Sequence, residues 1–526
     1  MTRLPASLVL VSALIGCADR TPALPLQDNL GTHHVAISSR NQRAQAYFDQ
    51  GMRLVYAFNH EEAIRAFQEA RRIDPACAIC AWGEALAHGP NINLPMDSAN
   101  AAAALAGVQA ANQLAAGASE RERQLIAALG LRYGDPGTAQ LPRDSAYARA
   151  MRELATAHPD DLEMATLYAE AVMNLSPWSY WNADSTPRQG MDEALVQLER
   201  VVAALPSHPG ACHYYIHAVE AVHPERAVPC AERLAQLMPG AGHLVHMPAH
   251  IYVRIGRYAD AVESNVHATH ADAAYLNIDR KPGFYDVGYV PHNHHFLAFA
   301  ASLAGMRDQA VTAAREAAHK TGPEGGRLAL EAEYVLPSPH LMMHAFEMWD
   351  SVLAEPMPPA DLTVARGMAL YARGGAFAAT GRLPEARSAL DTVRQLEAEQ
   401  PEGTRRQLLG VAAHVLAAEI AGREQKWTDA ETHLRAAVAA EDALPYMEPP
   451  YWHHPVRHGL GKVLLRAGKA RQAELVYREA LLKFPENGWA LAGLGKSLEA
   501  QGKRAEAAEI AGRFEKAWRG ATPPPL

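Results

Sequence analysis

The stretch YFDQGMRLVYAFNHEEAIRAFQEARRIDP (residues 47–75) predicts two helices joined by one turn. Tyr47, Gly51 and Leu54 share one helix face before the turn, and Ala63, Phe67 and Ala70 share another after it. Gly51 and Ala63 are small enough to let the helices approach, and Pro75 ends the second. The frame recurs in Gly461 … Gly468-x-Ala470-x2-Ala473-x3-Tyr477-x2-Ala480-x4-Pro485, in Gly495 … Gly502-x-Arg504-x2-Ala507, in Gly374 … Gly381-x4-Ala386 and around Trp427-x2-Ala430-x3-Leu434. Weaker copies fit residues 160–205, 208–240, 243–275, 292–325 and 330–358. A hairpin repeated at a fixed period buries its apolar face by stacking on its neighbours. The opening copy departs from the others at Phe58-Asn59-His60, where Gly-x-Tyr usually makes the turn.

These spacings closely resemble the tetratricopeptide repeat (TPR) family over most of residues 40–518. The resemblance implies an all-α, right-handed TPR-type helical-hairpin solenoid. In such arrays the first helix of each repeat lines a concave groove, chiefly through positions 2, 5, 9 and 12 of the repeat. The expected division is an array over 39–325 with a histidine-rich groove, then a C-terminal TPR array over 326–526. The segment ADAAYLNIDRKPGFYDVGYVP (271–291) interrupts the period with tyrosines and chain breakers, and insertions of this kind usually sit on a binding face.

Of the 25 histidines, twelve fall between 208 and 295, where even spacing would place about four. With Gly256 at position 15 of its repeat, His246 takes position 5 and His250 position 9; with Gly305 at 15, His292 takes 2 and His295 takes 5. If the preceding turn is one residue short, His213, His217 and Glu220 take 5, 9 and 12. Three consecutive repeats thus aim imidazoles into one groove. Histidines four apart share a helix face, so His213/His217 and His246/His250 can each bind one ion. Pro248 lies inside the second pair and threatens its geometry.

The expected ligands are His213, His217, His246, His250 and His295, with Glu220, His243, His292 and Asn293 as support or additional ligands. Imidazoles alone suit zinc or copper, and an added carboxylate favours iron. Elsewhere, His340, His344 and Glu347 fall at core positions, and His453, His454 and His458 at a surface or groove rim. Gly495-Lys496-Ser497 lacks the first glycine of a phosphate-binding loop, and no His-Glu-x-x-His or Gly-x-Ser-x-Gly occurs.

HYYIHAVE, GHLVHMPAHIY and PHNHHF together resemble a group of histidine-rich bacterial TPR lipoproteins, a likeness that brings no activity with it. Cys212 stands where that pattern has Asn, and His294 where it has an aromatic. The N-terminus agrees: an apolar run, Leu8 to Ile15, too short to span a bilayer, leads to Leu14-Ile15-Gly16-Cys17. Residues 1–17 resemble a lipoprotein signal with Cys17 as the lipidated residue, and 18–38 a tether. Ala18 then implies an outer-membrane lipoprotein facing the periplasm, held to the membrane by its lipid anchor alone. A plain secretory signal is the alternative.

Four cysteines follow: Cys77 and Cys80, open to a local disulfide or buried thiols, and Cys212 and Cys230. The net charge of −9, without a basic stripe, argues against nucleic acid as a partner. Two functions remain: a transition-metal site for binding or catalysis, or a scaffold whose groove takes an envelope protein or peptide.

Overall fold

The computed structural model describes residues 24–134, 139–278, 280 and 282–525. Among these residues every named element is a helix, and only two isolated bridges, Asn91–Leu94 and Trp181–Pro187, pair extended backbone. The helices pack as successive antiparallel hairpins, giving the all-α TPR-type solenoid expected from the period.

The turns explain why the period is legible. Five hairpins reverse at Gly256, Gly305, Gly381, Gly468 and Gly502, with φ between 73° and 82°. Three others reverse at Phe58, Glu347 and Gln425, with φ between 54° and 61°, where a side chain costs about 1–2 kcal/mol. The rest of the repeat tolerates this because the paired helices bury a continuous apolar seam. In the opening hairpin, Gln42–Tyr56 against His60–Ile73, the Phe67 ring sits between two glycines. A Cβ at either Gly51 or Gly83 would lie 2.5 Å from the ring.

Residues 24–38 are not a tether, as expected above, but a strap lying on the array. Leu24, Leu30 and Val35 are buried, Tyr47 Oη donates to the Leu24 carbonyl at 2.5 Å, and Gly240 N to the Asn29 carbonyl at 2.8 Å. Polar contacts hold it as well: the N–H groups of Gln27, Val35 and Ser38 donate to Gln50, Asp49 and Glu122. The signal segment and Cys17 lie outside the described residues.

The C-terminal repeats fold back onto the middle of the chain. Tyr258 Oη donates to the Pro485 carbonyl (2.8 Å), Trp489 Nε1 to that of Ser302 (2.9 Å), and Arg519 N to that of Ala304 (2.8 Å). Cys77 and Cys80 form a disulfide, and Cys212 and Cys230 are buried thiols. No helix among the described residues is long and apolar enough to cross a membrane.

Gly51→Ala is expected to lower stability by about 1–3 kcal/mol, because overpacking against the clamped Phe67 ring outweighs alanine's helix propensity. Pairing it with Phe67→Leu should recover part of that loss. Chemical denaturation measures both; an unchanged midpoint for Gly51→Ala excludes the clamp.

Candidate metal centre

His208 caps the helix Pro209–Val219 by accepting the Ala211 N–H, and that helix presents His213 and His217 with ring centroids 4.9 Å apart. In the next repeat Pro248 divides the helix into Gly242–His246 and Pro248–Arg254. Met247 between them keeps helical angles (φ −50°, ψ −35°), so the axis runs through and only a backbone donor is lost. His246 and His250 therefore stay on one face, their rings 4.7 Å apart. The helix Tyr289–Leu303 adds His292, 4.7 Å from the His246 ring.

The side-chain nitrogens converge as two triads, His213/His217/His243 and His246/His250/His292, with the possible ligand atoms of each within 4.8 Å of one another. The two adjoin: the His217 and His250 rings stand 5.5 Å apart, and those of His243 and His246 5.9 Å.

Hydrogen bonds behind the rings decide what the front atoms are. Asn265 Nδ2 donates to the Ala261 carbonyl, which turns Asn265 Oδ1 toward His246 Nδ1 at 2.7 Å. His250 Nδ1 meets Glu220 Oε2 at 2.6 Å. Both Nδ1 atoms donate, so in the neutral rings both Nε2 atoms carry lone pairs, and these face each other at 2.8 Å. Lone pairs at that distance repel unless a proton or a metal ion lies between them. Two nitrogens on one tetrahedral zinc-sized ion stand about 3.3 Å apart, half an ångström more than this pair and close to the 3.1 Å between His292 Nε2 and His246 Nε2. In the other triad His213 Nδ1 donates to the Tyr56 carbonyl (2.6 Å), leaving Nε2 as an acceptor 3.1 Å from His243 Nε2.

Glu220 touches Nδ1 of both His217 (3.2 Å) and His250 (2.6 Å), one from each triad. It orients ligands rather than joining them, because its oxygens face the donating nitrogens. Burial alone would raise its carboxyl, but the His250 and His217 imidazoles outweigh burial and hold it at about 2. Burial, reinforced by neighbouring imidazoles, holds His213, His243, His246 and His292 well below the usual histidine range. Of the six imidazoles only His292 is partly exposed, so the centre meets solvent on that side.

Of the expected ligands, His213, His217, His246 and His250 come together, joined by His243 and His292 from the supporting set. His295 does not. It lies one helical turn beyond His292 and packs on Tyr334, ring centroids 5.1 Å apart. Asn293 acts at a remove: it donates to Asp272 (2.7 Å), Asp272 accepts from Tyr285 Oη (2.8 Å), and that oxygen accepts the His243 N–H (3.1 Å). Burial pushes the Asp272 carboxyl up to about 6.

Tyr285 comes from the aromatic insert, whose interruption of the period was the available signal. Phe58 was signalled too, as the residue replacing glycine in its turn: its ring lies 4.4 Å from that of His213 and stacks on His243 at 5.5 Å. Phe296 closes the other triad, 4.8 Å from both His246 and His250. Asn265 and Glu448 carried no signal. Glu448 is buried within electrostatic reach of His250 and Glu220, and burial raises its carboxyl to about 7.

A further group, His33, Glu163 and His208, is hydrogen-bonded instead. His208 Nδ1 accepts a backbone N–H, so its Nε2 donates to Glu163 at 3.1 Å, and His33 Nε2 approaches the same oxygen at 2.8 Å. Tyr56 Oη also donates to Glu163, tying this group to the residue whose carbonyl orients His213.

No protein-family model matches the chain, and no curated protein matches it. Among solved structures, a human IFIT1 dimer with PPP-AAAA aligns at 13% identity over 89% of this chain and 88% of that one, TM-score 0.34. A human IFIT1 dimer with m7Gppp-AAAA aligns at 13% over 91% of each, TM-score 0.35. Naa15/Naa10 bound to HypK-THB aligns at 14% over 90% of this chain and 70% of that one, TM-score 0.21. The exclusion of nucleic acid drawn from charge is corrected against the IFIT1 structures, which hold PPP-AAAA and m7Gppp-AAAA.

Acid should destabilise the ion-free protein. The folded His213, His243, His246 and His292 imidazoles stay neutral while the unfolded chain takes up protons below about pH 6.5. The unfolded state then binds more protons, so stability falls as pH falls, by up to about 1.4 kcal/mol per pH unit for each such histidine. The melting temperature of chelator-treated protein should drop from pH 7.5 to 5.5, and His292→Gln should flatten the drop. A level profile excludes this account.

Proposed function

We propose that the protein is a metalloprotein in which two transition-metal ions sit side by side in the groove, one on His213, His217 and His243, the other on His246, His250 and His292. The observation that carries this reading is the 2.8 Å approach of His246 Nε2 to His250 Nε2 while Asn265 and Glu220 engage both rings from behind. The donors favour copper or zinc over iron, since each triad is all imidazole and the nearest carboxylate serves Nδ1 atoms. Three protein ligands leave an open position on each ion, the arrangement of catalytic rather than closed structural sites. The partly exposed His292 marks the side from which a small molecule arrives. The reading therefore extends to metal-dependent catalysis of an oxidative or hydrolytic step.

Its location in this proposal is the cell envelope, with Cys17 lipidated and the array facing the periplasm. The lipobox-like sequence supports this, and the Cys77–Cys80 disulfide is in keeping with an oxidising compartment. The alternative scaffold role rests on the helical-repeat fold.

Elemental analysis after reconstitution with copper or zinc tests the proposal. Two equivalents per chain are expected for the parent protein and for His295→Ala, and about one for His213→Ala and for His246→Ala. Glu220→Gln should weaken binding at both positions, on the order of 10–100-fold. Less than a tenth of an equivalent, with unchanged thermal stability, refutes it.

A further inference from the structure

The groove of the second half holds a cavity of about 250 Å³ that the metal centre does not use. Its walls include Trp349, Tyr371, Trp427, Trp452 and Trp489. His453 lines it as well, 5% exposed, with neither ring nitrogen hydrogen-bonded to any described residue. His458 Nε2 and His454 Nδ1 are likewise buried without a partner, while His458 Nδ1 meets His454 Nε2 at 3.1 Å. Buried polar nitrogens left unmatched lose their hydration without return, and a bound polar group would offset that cost. The rim placement expected for His453 and His458 is therefore wrong: His453, just ahead of the helix Val456–Arg466, and His458, in its first turn, are both buried. The core placement of His344 and Glu347 also changes, since both line this cavity.

Charge around the cavity is uneven. Its two carboxylates are engaged, Glu347 by Lys462 at 2.9 Å and Glu419 by His344 at 3.3 Å. Arg423 and Arg466 at the mouth have no carboxylate partner among the described residues. Pro525 bounds the cavity at the tail, its carbonyl 3.5 Å from Lys462 Nζ.

We infer that this cavity binds a small planar carboxylate, a single aromatic ring bearing an acid group. Size is compatible with this class: an apolar cavity of about 150 Å³ holds benzene, so 250 Å³ has room for one ring with a polar substituent. The aromatic walls supply stacking surface for the ring. The imidazole N–H groups and the two arginines supply donors for the acid, and bonds to an ionised acceptor are the stronger kind. The site is independent of the metal reading, because it shares none of the six proposed ligands.

Isothermal titration of the full-length, metal-reconstituted protein with benzoate, benzyl alcohol and acetate separates ring from charge. Benzoate is expected to bind at least tenfold more tightly than either of the others. His453→Phe, which keeps the ring volume, should weaken benzoate at least fivefold with circular dichroism and metal content unchanged, and Arg466→Ala should do the same. Equal binding of benzoate and benzyl alcohol overturns the assignment of charge. Equal binding of benzoate and acetate overturns the assignment of a ring, and no binding of benzoate up to about 10 mM overturns the site.

Discussion

One carboxylate organises the centre of this protein. Glu220 ends the helix that carries His213 and His217, and from there it reaches Nδ1 of His217 in one triad and of His250 in the other. A buried carboxylate is costly unless it is matched, and two imidazole donors match it. Accepting those protons fixes each ring's tautomer and turns the opposite nitrogen, with its lone pair, toward the groove. The remaining features follow: Asn265 does the same for His246, the Tyr56 carbonyl for His213, and Phe58 and Phe296 pack against the rings. Two hairpins that stack by apolar packing are thereby also locked in rotation about their axes.

The repeat was readable because its geometry imposes a residue type at a spacing. A positive φ at the turn selects glycine, close helices select Gly and Ala, and helix ends select proline. The histidine pairs were readable for the same reason, since four residues return to one helix face. What failed was the step from position to partner. His295 shares a helix with His292, yet one helical turn of displacement takes it to Tyr334 and out of the centre. His243 was given only a supporting role, although it lies in the same helical segment, Gly242–His246, one turn before His246 and on its face. Asn265 reaches the centre from the second helix of the same hairpin and Glu448 from a distant part of the chain, and a lone Asn or Glu leaves no spacing pattern to record either meeting. The tether failed differently: a segment was assigned by what precedes it, although Leu24, Leu30 and Val35 were apolar enough to bury.

Phe58 shows where departure from the repeat carries information. A glycine in that turn would relieve its backbone, as in five other hairpins, and would leave three imidazoles without the ring that covers them. The strain is tolerated because the surrounding helices fix both ends of the turn. The period locates the architecture, and its exceptions locate the site.

The return of the C-terminal repeats onto the middle of the chain changes how the array behaves as a whole. An open solenoid touches only its neighbours along the chain, so it frays from its ends and loses repeats piecemeal. Here Tyr258 with Pro485, and Trp489 with Ser302, join residues 227 and 187 positions apart. A chain closed on itself in this way has lost one of its fraying ends. Its C-terminal repeats cannot peel away without breaking contacts beside the histidine groove, and that links the rigidity of the centre to the far end of the molecule.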